Sequence, residues 1–110
     1  MALEALNTEK LTRFWYTPEC EREEESPARF LLQPLDGLQA TEAFNAGDMG
    51  LVILRTLRNG LKDWENVTKD DKSLKCSPQN FRFIHADILD ELASEIMTAS
   101  KMNADEVKNS

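Results

Sequence analysis

A chain of 110 residues suits a single domain and can bury roughly 65% of its unfolded surface, a core that needs neither metal nor disulfide to hold it. Apolar residues make up 41% and charged residues 30%, the balance of a soluble folded domain. The net charge of −7 argues against nucleic acid or a membrane surface as partner, because phosphate backbones and anionic lipids recruit clustered Lys and Arg.

The N-terminus, Met1 to Leu6, carries an early acid and no long apolar run, so no signal peptide is expected. No stretch reaches the roughly 18 apolar residues of a membrane span. With only two cysteines, Cys20 and Cys76, read as free thiols, the expected compartment is the cytoplasm. Residues 1–12, anchored by Leu3, Leu6 and Leu11, read as a flexible arm, residues 13–102 as the globular domain, and 103–110 as a frayed tail.

Arg13 to Thr17 contains three consecutive aromatics, Phe14, Trp15 and Tyr16, and reads as a strand ended by Pro18. Glu19 to Pro27 holds five glutamates and forms a solvated loop. Arg29 to Gln33 is a second strand, closed by Pro34, and the two strands make an antiparallel hairpin. Because successive side chains alternate across a strand, the three aromatics cannot all face one side. Asp36 caps a short helix from about Gly37 to Ala46, with Gln39 completing a capping box and Gly47 ending the segment.

Asp48 then caps the segment around which the chain is organised, running to Val67. Leu54, Leu57, Leu61 and Trp64 recur at steps of three, four and three, one face of a helix widened by Leu51, Val52 and Ile53. Arg55, Arg58, Lys62 and Glu65 repeat the rhythm in charge on the opposite side. Gly60 lies within the pattern at a cost of about 1 kcal/mol relative to alanine, so the helix stops or bends there, with Leu61 to Trp64 as a further turn. Val67 to Lys72 is turn chemistry. Ser77 and Pro78 start a helix carrying Phe81 and Ile84, and Asp87 caps a final helix to about Lys101 with the stripe Ile88, Leu92 and Ile96. The fold class that follows is α+β and mostly helical, an N-terminal β-hairpin packed on three to four short helices.

The chain carries no phosphate-binding loop, nucleophile elbow, zinc-protease motif or Cys-x-x-Cys pair, so no catalytic residue, metal ligand or cofactor is expected and the protein reads as a non-enzyme. His85 is a lone histidine with Asp87 and Asp90 nearby. Asn66-Val67-Thr68 matches a glycosylation sequon, which carries no weight in a protein expected to stay inside the cell. Three features stand out as candidate partner-binding residues: the aromatic block Phe14, Trp15 and Tyr16; the basic stripe Arg55, Arg58 and Lys62 in an acidic chain; and Trp64.

The order of motifs resembles the small tail assembly chaperones of long-tailed bacteriophages and prophages. Residues 30–35 (Phe-Leu-Leu-Gln-Pro-Leu) lead through a short helix into Gly-Leu-Lys-Asp-Trp-Glu-Asn-Val (60–67). Cys-Ser-Pro-Gln-Asn-Phe (76–81), Asp-Glu-Leu-Ala-Ser-Glu-Ile (90–96) and a terminal Lys-Asn-Ser (108–110) follow. The resemblance implies a mostly helical, self-associating, non-enzymatic protein of the bacterial host cytoplasm. Such a protein binds the tape-measure protein, keeps it soluble and helps the tail-tube protein assemble around it. Its client would be gripped by the aromatic block and the neighbourhood of Trp64, in helix-in-groove fashion. The alternative is a small acidic phage protein that binds and inhibits a host DNA-binding protein, presenting Asp87, Glu91 and Glu95 with the 19–25 loop as DNA-like charge.

Overall fold

The computed structural model describes residues 11–109, with side chains to Lys101. Residues 1–10 of the expected arm (1–12) therefore lie outside the described residues, as do the side chains of the expected tail, while Leu11 near the arm's end is buried.

Three strands form one antiparallel sheet in the order β1-β2-β3: β1 is Phe14–Tyr16, β2 Arg29–Leu32 and β3 Leu61–Glu65. β1 and β2 are the expected hairpin, with Phe14 opposite Leu32 and Tyr16 opposite Phe30. Its connection contains a 3-10 turn over Glu19–Glu21. Alternation places Phe30, Leu32, Leu61 and Trp64 on the covered face, and Trp15, Leu31 and Asp63 on the other.

After β2, helix α1 (Gly37–Phe44) starts at the expected capping box: Asp36 accepts from the Gln39 amide at 2.8 Å and the Gln39 side chain accepts from the Asp36 amide at 3.2 Å. Gly47 takes a positive φ of 83°, a conformation that favours glycine, and lets the chain turn into helix α2 (Met49–Gly60). Asp48 caps α2 through the Leu51 amide at 3.1 Å.

Here the organising segment departs from its expected course. The helix ends at Gly60, and Leu61 to Glu65 is neither a continuation nor an extra turn but strand β3, paired with β2. Leu54, expected on the covered face, is 43% exposed. The pairing register explains the misreading. Leu31 faces Asp63 but Leu32 faces Leu61, so Lys62 is an extra residue at a bulge. The bulge brings Leu61 and Trp64, three apart, onto the same face, a spacing otherwise diagnostic of a helix.

Beyond Asn66 (φ 60°), the short strands β4 (Thr68–Lys69) and β5 (Lys72–Ser73) form a tight hairpin with Asp70 and Asp71 both at positive φ, as a two-residue type I′ turn requires. Pro78–Phe83 is a 3-10 helix rather than an α-helix, and Ser77 makes no side-chain cap. Helix α3 spans Ala86–Asn109, past Lys101; no glycine or proline interrupts that sequence. The Ile88 and Leu89 amides donate to the His85 carbonyl, placing Asp87 inside the first turn instead of at the cap.

The core lies between the covered face of the sheet and the helices. Phe30, Leu32, Leu35, Leu57, Leu61, Trp64, Phe81, Leu92 and Ile96 are all buried within it, with Ala43 and Ala93 filling narrow gaps. Trp64 meets Phe30 edge-on at 6.0 Å between ring centres and Phe81 at the same separation. One buried polar contact ties distant segments. The Leu35 amide, in the bend leading to α1, donates to Ser100 Oγ at 2.8 Å, and that hydroxyl donates to the Ile96 carbonyl at 2.6 Å. Ser100→Ala leaves the Leu35 amide buried without an acceptor, so about 1–2 kcal/mol of stability is expected to be lost. Urea unfolding checks this as a lower midpoint at unchanged slope.

Candidate functional site

The seven candidate residues do not form one patch. Phe14 and Tyr16 are half-buried on the core side of β1, whereas Trp15 points the other way and is 42% exposed. Trp64 is only 6% exposed. It stands inside the core, with its indole N–H donating to the Leu74 carbonyl at 2.6 Å, so no face of its ring lies on the surface for a partner to grip. Arg55 and Arg58 project from the outer side of α2, and Lys62 is exposed at the β3 bulge just beyond that helix.

Two open surfaces result. The first is the outer face of the sheet. Trp15 stands opposite Leu31, and the Arg29 guanidinium lies 5.0 Å from the centre of the Trp15 ring while pairing with the Glu65 carboxylate. The pair and the cation–π contact hold the indole in place on a face where, among the described residues, Trp15 and Asp63 stay exposed. Exposed Asp63 and Lys62 border it. The second is the outer side of the α1–α2 unit. Leu51, Leu54, Arg55 and Arg58, at steps of three, one and three, form the exposed stripe of α2. Leu38 and Glu42, four apart, share the exposed side of α1. Glu42, Arg55, Arg58 and Asn59 line a depression of about 530 Å³, where Arg55 donates to the Glu42 carbonyl at 3.1 Å. The sequence pattern assigns Leu51 and Leu54 to the core. Their shared spacing with Arg55 and Arg58 was the available signal that they belong to the outer stripe.

Tyr16 has a structural task. Its hydroxyl donates to the Glu91 carboxylate on α3, which also accepts from the Glu19 amide at 3.1 Å, and the Arg22 guanidinium lies 5.8 Å from its ring centre. This latch pins the start of the glutamate-rich loop to α3 and turns Glu91 inward, removing it from the array of acids that DNA-like charge would need. Burial, then the hydrogen bond and negative charge of Glu91, push the Tyr16 hydroxyl up from 10.0 to about 12. In the unfolded chain the phenol ionises near 10.0, so its contribution to stability is complete below that pH and lost as pH rises toward about 12. Wild type is expected to lose stability across this window more steeply than Tyr16→Phe, as measured by urea midpoints at stepped alkaline pH.

Among the described residues, the two thiols and the lone histidine belong to neither open surface. Cys76 is half-buried, and burial followed by the charge of Asp63 pushes its thiol up to about 11, so it stays protonated and unreactive at neutral pH. Cys20 is exposed, and both cysteines are free. His85 is exposed at the start of α3, beside a pocket of about 220 Å³ that Phe30, Val67, Ile84 and Ile88 help to line. Among the described residues no three His, Cys, Asp or Glu side chains come together as metal ligands, and no helix is long and apolar enough to cross a membrane. Comparison with family models, with curated proteins and with solved structures finds no match to this chain.

Proposed function

We propose that this protein is a tail assembly chaperone of a long-tailed bacteriophage or prophage, a non-enzymatic holdase acting in the bacterial host cytoplasm. It binds the tape-measure protein, keeps that long helical client soluble, and assists the tail-tube protein in assembling around it. The motif order through residues 30–96 and the terminal Lys-Asn-Ser suggest this family. The physical observation that carries the reading is the outer sheet face, on which, among the described residues, Trp15 stands exposed opposite Leu31 and is steadied by Arg29. An indole held rigidly beside an aliphatic neighbour offers a client's apolar stripe a large contact at little cost in side-chain entropy. The net charge of −7 keeps the loaded complex from aggregating.

Co-expression tests the proposal. Wild type should carry a co-expressed tape-measure protein from the same phage or prophage into the soluble fraction. Trp15→Ala should lose that capacity while changing the chaperone's own stability by no more than about 1 kcal/mol, as expected for an exposed position. A well-folded wild type that leaves the client insoluble would sink the assignment. Equal rescue by Trp15→Ala would move the client site elsewhere.

A further inference from the structure

Among the described residues, six large apolar side chains are exposed, and four of them, Leu38, Met49, Leu51 and Leu54, lie on α1 and α2. Leu38 is 71% and Met49 69% exposed, far beyond the partial exposure common at a helix surface. These side chains accompany charges of both signs. Glu42 follows Leu38 by one turn on α1, while Arg55 and Arg58 accompany Leu51 and Leu54 on α2. The Glu42 carboxylate and the Arg58 guanidinium line the same depression, yet neither has a hydrogen-bond or ion-pair partner among the described residues. Arg55 reaches only the Glu42 backbone carbonyl.

A surface with one acidic and one basic half, each beside exposed leucines, is complementary to itself. Two-fold symmetry requires this of an interface, because each patch must meet its counterpart on an identical partner. We infer that the α1–α2 unit is the surface through which two copies of this chain associate, with the Leu38–Glu42 side of α1 in one copy laid against the Leu51–Arg58 stripe of α2 in the other. Each Glu42 then meets an Arg58 across the interface, and Leu38, Leu51 and Leu54 are covered, whereas Met49 lies on the opposite side of α2 from that stripe. Other acidic parts of a second copy fit less well. Among the described residues the exposed side of α3 presents Asp87, Asp90 and Ser94 without an exposed large apolar residue, and the loop over Glu23 to Glu25 is acidic alone. The inference rests on the proposed chaperone reading for the expectation of self-association and on the chemistry of α1 and α2 for its location, independent of the client.

The test is sedimentation of the full chain over a wide range of concentration, with circular dichroism and melting to show that each variant is folded. Wild type should form dimers. Arg58→Glu and Glu42→Arg should each weaken the dimer by about tenfold per symmetry-related contact, roughly 100-fold in all, since like charges then face each other twice. Mixing the two variants should restore a heterodimer, because every cross-interface pair is then of opposite sign. Leu54→Gln should weaken association without any charge change. A wild type that stays monomeric, a dimer indifferent to these substitutions, or variants that stay apart when mixed would overturn the inference. So would variants that remain dimeric but lose the client, which would assign the surface to the client instead. Failure of client rescue by a dimer that obeys the charge rules would leave the dimer surface standing and remove the proposed function.

Discussion

Trp64→Ala is expected to cost about 3–5 kcal/mol of folding stability, the range for removing a buried aromatic side chain. The indole joins Phe30 on the sheet to Phe81 on the 3-10 segment, and its N–H holds the Leu74 carbonyl that follows the β4–β5 hairpin. Its removal opens a cavity at the meeting point of three segments and strands a carbonyl. Domains of this size have about 5–15 kcal/mol in all, so the variant should unfold at much lower urea and report a lower melting temperature. Trp64→Phe keeps much of the packing but not the hydrogen bond, and should lose distinctly less. The same pair addresses the reading of Trp64 as a contact for a partner. A core residue abolishes binding only together with the fold, so Trp64→Phe should retain client rescue in proportion to the protein left folded.

Gly60→Ala carries the second large effect, and its sign runs against helix propensity. In an exposed helix, alanine is better than glycine by about 1 kcal/mol. Here a Cβ on Gly60 would lie 2.7 Å from Ile96 Cδ1, 2.8 Å from Ile96 Cγ2 and 3.1 Å from the Gln33 carbonyl oxygen. The Gln33 amide also donates to the Gly60 carbonyl at 2.8 Å, so the backbone here cannot withdraw without breaking the join between β2 and α2. Overpacking of this kind costs about 1–3 kcal/mol, and a net loss is expected in chemical denaturation. Ile96→Ala in the same chain should remove most of the clash. The double variant should therefore be less destabilised than the sum of the two single changes. Additive losses would refute the close approach of α2 and α3 as the reason for glycine at this position.

Gly60 also shows where reading the chain reached its limit. The capping box at Asp36 and Gln39, the left-handed turn at Gly47 and the cap at Asp48 are local devices. They depend on residues within a few positions of one another, and each is found where the sequence pattern puts it. The hairpin of β1 and β2 is similarly signalled by aromatic and leucine-rich runs closed by Pro18 and Pro34. By contrast, whether Leu61 to Glu65 extends a helix or pairs as a strand depends on β2, some thirty residues earlier, and on the bulge at Lys62 that gives a strand a helical spacing. Periodicity cannot reveal such a bulge, because the extra residue is defined only by the partner strand.

The candidate surfaces divide along the same line. That Phe14, Trp15 and Tyr16 must split between two faces follows from alternation alone, and Trp15 is the one left outside. That Arg55 and Arg58 lie away from the core is likewise legible in their spacing. The companionship of Leu51 and Leu54 with those arginines, the placement of Glu42 beside them and the burial of Trp64 are not legible there, because an apolar residue declares only that it can be covered, never by what. Composition, capping and alternation determined the α+β class, the hairpin and the starts of α1 and α2, since these are short-range properties of the chain. Only the tertiary structure decided which apolar residues were enclosed and which were left facing outward, since that depends on how much area the packed elements can cover.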